Sequence, residues 1–228
     1  MLKKLIHISK HIIYKNLFDE TSLIFYILLN NIRTFTFNGE KYRYYTDKYN
    51  YTWRNERSIE VPLIYNIIKR CNNKKILEIG NVLSHYYKVS HDILDKYEVV
   101  DNVINEDVVL YKRKKYDLII AISTFEHVGW DEKPRERNKI IKAIANLKSI
   151  LNSNGKIIFT VPLGYNPDIN RIIKNKEIQF SEVTFMKRVS KINTWSQASY
   201  DEVKNAKYNS PFNNSNAIMI ATIENNYL

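Results

Sequence analysis

Four short apolar runs in this chain each end on residues able to bind a ligand. Glu78-Ile79-Gly80-Asn81 closes the first run and Asp95 the second. Asn105-Glu106-Asp107 follows a third, weaker stretch, and Ser123-Thr124-Phe125-Glu126-His127 closes the fourth. A glycine at a strand end lets backbone approach a ligand closely. A carboxylate there can accept hydrogen bonds from sugar hydroxyls or hold an ammonium group. Glu126-His127 has the composition of an acid–base pair, although the same two residues could serve only to orient loops. Taken singly, Glu78, Gly80, Asp95 and Asp107 read equally well as caps, turn residues or surface acids.

The elements that would carry these residues alternate strand and helix. Ile76–Ile79, Asp92–Leu94, Leu118–Ile122 and Ile157–Val161 read as buried strands, being continuous apolar runs. An amphipathic helix is expected from about Arg135 to Leu151, with Asn154-Gly155 turning the chain into the next strand. Val183–Val189 and Ala217–Ile223 are two further strand candidates that could add an antiparallel edge. Upstream, residues 2–18 and 21–32 have helical apolar spacing. The predicted fold is therefore α/β: a seven-stranded, mostly parallel sheet flanked by helices, with a helical N-terminal extension. Residues 1–55 are assigned to that extension and 56–228 to the α/β domain. In such sheets ligands bind beyond the carboxyl ends of the strands, where the strand order reverses.

Composition narrows the class. A chain of 228 residues can build one sizeable core but is short for two enzyme domains. No apolar run approaches the roughly 20 residues of a membrane span, and the N-terminus lacks a cleavable-leader pattern. A single cysteine, Cys71, rules out an intrachain disulfide framework and makes the cytoplasm the default compartment. The net charge of +11 admits a nucleic-acid partner, but the basic residues are scattered and form no arginine-rich arm, which favours solvated helix faces. His7 and His11 have metal-like spacing without the glutamate of a zinc motif, so no metal site is read. Oligomeric state is not legible.

As an ordered series, ILEIGN (Ile76–Asn81), KKYDLIIAISTFEHV (Lys114–Val128) and AIANLKSILNSNGKIIFTVP (Ala143–Pro162) resemble motifs of the class I S-adenosylmethionine-dependent methyltransferases. The resemblance covers about residues 64–162. It implies S-adenosyl-L-methionine as cofactor. It also implies that Glu78 and Gly80 meet its methionine part, Asp95 its ribose, Asp107 its adenine and Ser123 its open side, with Asn81 also binding the cofactor. Val82 and Ser84 stand where members of that family carry glycines. The cofactor has no pyrophosphate, so the loop need not cradle one.

The implied reaction is methyl transfer to an acceptor, with a small-molecule or glycan hydroxyl as the first expectation. Glu126, His127 and Asp131 are the candidate bases. An inactive methyltransferase-like module that binds a partner or nucleic acid is the rival reading. Tyr44 to Arg57 interleaves aromatic and polar residues, including Tyr49 and Trp53. It is read either as a lid over cofactor and acceptor or as aromatics packed on the sheet edge. Tyr165, after the fifth strand, and Trp130 would line the same mouth.

Overall fold

The computed structural model describes residues 19–225; the helix expected over 2–18 lies outside them. A helix over 19–32, α1, leads into a hairpin of β1 (Thr34–Phe37) and β2 (Glu40–Arg43). The hairpin turns on Asn38-Gly39, both with positive φ (48° and 82°), the pair that a tight hairpin turn requires. Short 3-10 turns over Tyr49–Arg54 follow. The extension is thus part helix and part hairpin, where the sequence predicts helix alone.

Helix α2 (Arg57–Lys69) opens the α/β domain. Pro62 lies inside it and has no N–H to give the Ser58 carbonyl. That carbonyl instead accepts the Tyr45 N–H at 2.8 Å, which ties the extension to the domain.

The domain is one eight-stranded sheet. Its strands are β3 (Ile76–Ile79), β4 (Asp92–Leu94), β5 (Val103–Ile104), β6 (Tyr116–Ile122), β7 (Leu151–Pro162), β8 (Glu182–Arg188), β9 (Trp195–Ala198) and β10 (Ala217–Glu224). They lie in the order β5-β4-β3-β6-β7-β10-β8-β9. The first five are parallel and the last three pairings antiparallel. β3, β6 and β7 are adjacent and central, as the apolar runs predict, and β8 and β10 supply the antiparallel edge. The eighth strand is β9, whose WSQA sequence carries no apolar run.

Continuity of apolar residues in β6 has a direct cause. Ile119 and Ala121 pack into the layer that holds α3 (Lys139–Ser149), while Leu118, Ile120 and Ile122 pack against Val61 and Ile64 of α2. Both faces are covered, so every position is apolar. Asn154-Gly155 forms a bulge inside β7 rather than a turn before it. The register jumps from Tyr116↔Leu151 to Leu118↔Lys156, and Asn154 takes a φ of 61°. Helix α3 begins at Lys139, later than expected, after a left-handed Asn138. Helix α4 (Pro167–Asn175) follows β7, capped by the Asn166 side chain, and the one-turn α5 (Tyr200–Val203) follows β9. Among the described residues no helix is long and apolar enough to cross a membrane.

Candidate functional site

The strand order reverses between β3 and β6, and there a cavity of ≈540 Å³ opens beyond the carboxyl ends of β3, β4 and β6. Gly80, Asn81, Asp95, Asp107 and Thr124 line it. Gly80 takes a φ of 82°, and a Cβ on it would lie 2.4 Å from Thr124 Oγ1. Glycine is needed here both for backbone conformation and for the closeness of the two loops.

Asp95 joins the loops after β3 and β4. One carboxylate oxygen accepts the Asn81 N–H at 3.0 Å, and the other accepts the N–H groups of Tyr97 (2.8 Å) and Glu98 (2.9 Å). Asp107 is held more tightly still. Its Oδ2 takes Lys139 Nζ at 2.6 Å and Lys96 Nζ at 2.9 Å, and its Oδ1 takes the Val109 N–H at 3.1 Å. Burial pushes the Asp107 carboxyl up, but the two ammonium groups outweigh it and hold the pKa at about 2. Glu132 accepts from the same two lysines, so lysine charge at this end of the cavity is fully paired.

Glu78 does not line the cavity, which corrects the sequence expectation. It is fully buried. Its Oε1 accepts the Val82 and Leu83 N–H groups (3.0 and 2.8 Å), and its Oε2 pairs with His91 at 2.7 Å. The carboxylate thus closes the loop after β3. Ser123 also faces elsewhere: its hydroxyl donates to Glu60 Oε1 at 2.6 Å, and Thr124 takes its place at the cavity wall.

A second, smaller cavity of ≈140 Å³ adjoins Ser123, lined among others by Glu56, Arg57, Glu126, Tyr165 and Tyr208. Arg57 projects from the first turn of α2 and donates to Glu60 Oε2 (2.8 Å) and to the carbonyls of Ile122 (3.0 Å) and Ser123 (3.4 Å). Burial alone would lower its pKa, but Glu60, Glu56 and Glu126 raise it. Glu126 is 2% exposed, and burial raises its carboxyl well above the usual range despite Arg57. His127 lines both cavities. Its Nδ1 lies 2.5 Å from Asp131 Oδ2 and its Nε2 lies 3.6 Å from Glu126 Oε1. Tyr165 donates to the same Asp131 oxygen at 2.8 Å. With Nδ1 hydrogen-bonded to Asp131, the ring's Nε2 is turned toward Glu126.

Solved structures with similar chain paths include the N-methyltransferase NodS from Bradyrhizobium japonicum WM9 in complex with S-adenosyl-L-homocysteine. It is 12% identical with a TM-score of 0.47, over 75% of this chain and 88% of that one. Magnesium protoporphyrin IX methyltransferase (ChlM) from Synechocystis PCC 6803 with bound SAM has 12% identity and a TM-score of 0.38, over 70% and 76%. An rRNA methylase from Streptococcus thermophilus has 9% identity and a TM-score of 0.41, over 72% and 96%. No protein-family model matches the chain, and no curated protein does. At such identities and TM-scores these proteins say nothing of this chain's chemistry, which rests on the two cavities.

Of the remaining residues singled out by sequence, Tyr165 and Arg57 reach the smaller cavity, while Tyr49 and Trp53 line neither. Tyr49 stacks on His85 with ring centroids 4.3 Å apart. Trp53 is 1% exposed and donates to Ser22 Oγ of α1 at 3.1 Å. Tyr44 packs with Phe35 and Trp195 over the antiparallel strands. Tyr44 thus serves the sheet edge, Tyr49 the loop after β3 and Trp53 the contact with α1. Glu56 and Tyr208 line the smaller cavity without having been anticipated. Glu56 stood in a segment read for its aromatics, and Tyr208 in a polar connection with no periodic signal. Among the described residues no cluster of metal-ligating side chains occurs.

Proposed function

We propose that the chain is an S-adenosylmethionine-dependent methyltransferase that takes its methyl donor in the larger cavity and the reacting end of a small-molecule or glycan acceptor in the smaller one. One observation carries the reading: His127 is shared by the two cavities, so ligands in both would meet at a single side chain.

The larger cavity suits the donor. Its volume lies in the range of small-molecule sites. Carboxylates dominate its polar lining, and Lys96 is already paired with Asp107 and Glu132. Such a wall accepts a cationic, diol-bearing adenosyl compound and disfavours the pyrophosphate of a dinucleotide. The Gly80–Thr124 approach gives close access to backbone N–H and C=O groups. Asp95 stands at the strand end where sugar hydroxyls would bind, and Val108, beside the engaged Asp107, lines the wall that the adenine would meet. When bound, the cofactor supplies an electrophilic methyl group on a sulfonium. The protein's share is alignment, worth several kcal/mol, and management of one proton. For that proton His127, oriented by Asp131, and Glu126 are the groups in place.

Titration calorimetry with S-adenosylmethionine and S-adenosylhomocysteine, followed by an acceptor screen, tests the reading. Binding of both with methyl transfer supports it. Binding of neither favours the rival, a non-catalytic module for a partner or nucleic acid, to which the net charge of +11 would then belong.

A further inference from the structure

Glu126 Oε2 is buried and has no hydrogen-bond partner among the described residues. Leaving a buried acceptor unmade is costly, and for a carboxylate more so. Two guanidinium groups lie near enough to neutralise this region, and both are committed elsewhere. Arg57 spends its donors on Glu60 and on the Ile122 and Ser123 carbonyls. Arg188 spends its donors on the carbonyls of Arg54, Ser190, Lys191 and Asn213. Glu56, on the same cavity wall, takes a single external hydrogen bond, from the Ser215 N–H at 3.2 Å. The smaller cavity therefore has two carboxyl groups that Arg57, on the same wall, does not hydrogen-bond, and one carboxyl oxygen without a donor. Two aromatic rings also line it: Tyr165 and Tyr208 meet edge-to-face with centroids 5.0 Å apart.

We infer that the smaller cavity selects an acceptor by its basic nitrogen, a small primary or secondary amine, with Glu126 as the group that receives the nitrogen's proton. The inference rests on the methyltransferase reading above and replaces the hydroxyl expected from sequence. An ammonium group brings a positive charge for Glu56 and Glu126, two or three N–H donors for the unpartnered oxygen, and a cation for the tyrosine rings. A hydroxyl brings one donor and no charge, leaving Arg57 as the cation that Glu56, Glu60 and Glu126 share.

The step balances as follows. The arriving ammonium displaces the proton that burial holds on Glu126, which leaves to solvent by way of His127 Nε2, 3.6 Å away. The ammonium then gives one proton to the Glu126 carboxylate, and the neutral nitrogen lone pair attacks the donor's methyl carbon. As the N–C bond forms, the C–S bond breaks and its electron pair stays on sulfur, turning sulfonium into thioether. The product leaves as the N-methylated ammonium, and Glu126 is left protonated, as it was before the acceptor bound.

The test is calorimetry on the full chain saturated with S-adenosylhomocysteine. Ethylamine, propylamine and ethanolamine are compared with ethanol and propanol. Amines should bind about tenfold or more tightly than the matched alcohols, as expected for hydrogen bonds to a charged group. Glu126→Gln should reduce that preference to about threefold or less while leaving S-adenosylhomocysteine affinity within about twofold. Glu56→Gln is the second variant, and it should lose part of the preference if Glu126→Gln fails to fold. If S-adenosylhomocysteine binds but alcohols bind as well as amines, or if both variants keep the full preference, the inference is overturned and the methyltransferase reading stands. If S-adenosylhomocysteine itself does not bind, both fall together.

Discussion

Gly80 and Thr124 approach so closely that one added methyl on the glycine would overlap the threonine hydroxyl, 2.4 Å away. These residues end the two strands that flank the switch point, β3 and β6, and their proximity sets the floor of the larger cavity. Gly80→Ala should cost roughly 2–4 kcal/mol of stability, from the left-handed conformation and the overlap together. Thr124→Ala in the same chain should recover only the overlap part, because the φ of 82° remains. Urea unfolding of the two single variants and the double variant separates the contributions. A Gly80→Ala protein as stable as the parent would show that the loops can part freely.

Glu78 and Asp95 are both acids at strand ends, and the structure gives them different duties. Glu78→Ala strands two buried N–H groups and His91, so it should cost about 3–5 kcal/mol of folding free energy. Asp95→Ala unpairs three N–H groups beside the open cavity, that of Tyr97 exposed and those of Asn81 and Glu98 part-buried, and it should chiefly weaken S-adenosylhomocysteine binding, by about 1–3 kcal/mol. Denaturant melts and calorimetry on both variants check the division. Equal effects of the two substitutions on affinity would restore Glu78 to the ligand.

Stability should depend on pH in two opposite ways. Glu126 has its pKa raised in the fold by burial, among Arg57, Glu60, Glu56 and His127. Between its unfolded value near 4.5 and the raised folded one the native state holds the extra proton, so stability falls as pH rises through that window. Glu126→Gln should remove that fall and raise the melting temperature at neutral pH. Asp107 works in reverse. Its pKa is depressed from 3.8 to about 2, so its contribution of about 1–2 kcal/mol is present above pH 4 and lost toward pH 2. Melting curves from pH 2 to pH 9 on the parent and on Glu126→Gln distinguish the two. A parent whose neutral-pH slope matches that of the variant would mean Glu126 is not the group responsible.

Trp53 should act on stability. It is buried against α1, with its indole N–H on Ser22, and lines neither the larger cavity nor the smaller one. Trp53→Ala should cost about 3–5 kcal/mol. Its fluorescence should stay unchanged when S-adenosylhomocysteine is added. A ligand-dependent change, with added amide protection over 44–57, would instead mark a lid that closes on binding. Asn50, Glu56 and Arg57, which already reach the smaller cavity, are where such a closure would act.

The sequence by itself determined the parallel half of the sheet. Burial on both faces leaves a continuous apolar run at Leu118–Ile122, and the loop after each such run must lie at the ligand-binding edge. Gly80, Asn81, Asp95 and Asp107 could therefore be placed there from the order of runs alone, and all four line the larger cavity. The Asn38-Gly39 pair also encoded its hairpin, although flanking strands with mixed burial hid it. Only the tertiary structure decided what each acid does. Glu78 and Asp95 have the same local pattern, an acid at a strand end, and differ only in which side of the sheet receives the side chain and what waits there. The smaller cavity lay beyond local reading for the same reason. Glu56, Arg57, Glu126, Tyr165 and Tyr208 come from separate connections, and no period in the chain records that the folded sheet brings them around one space.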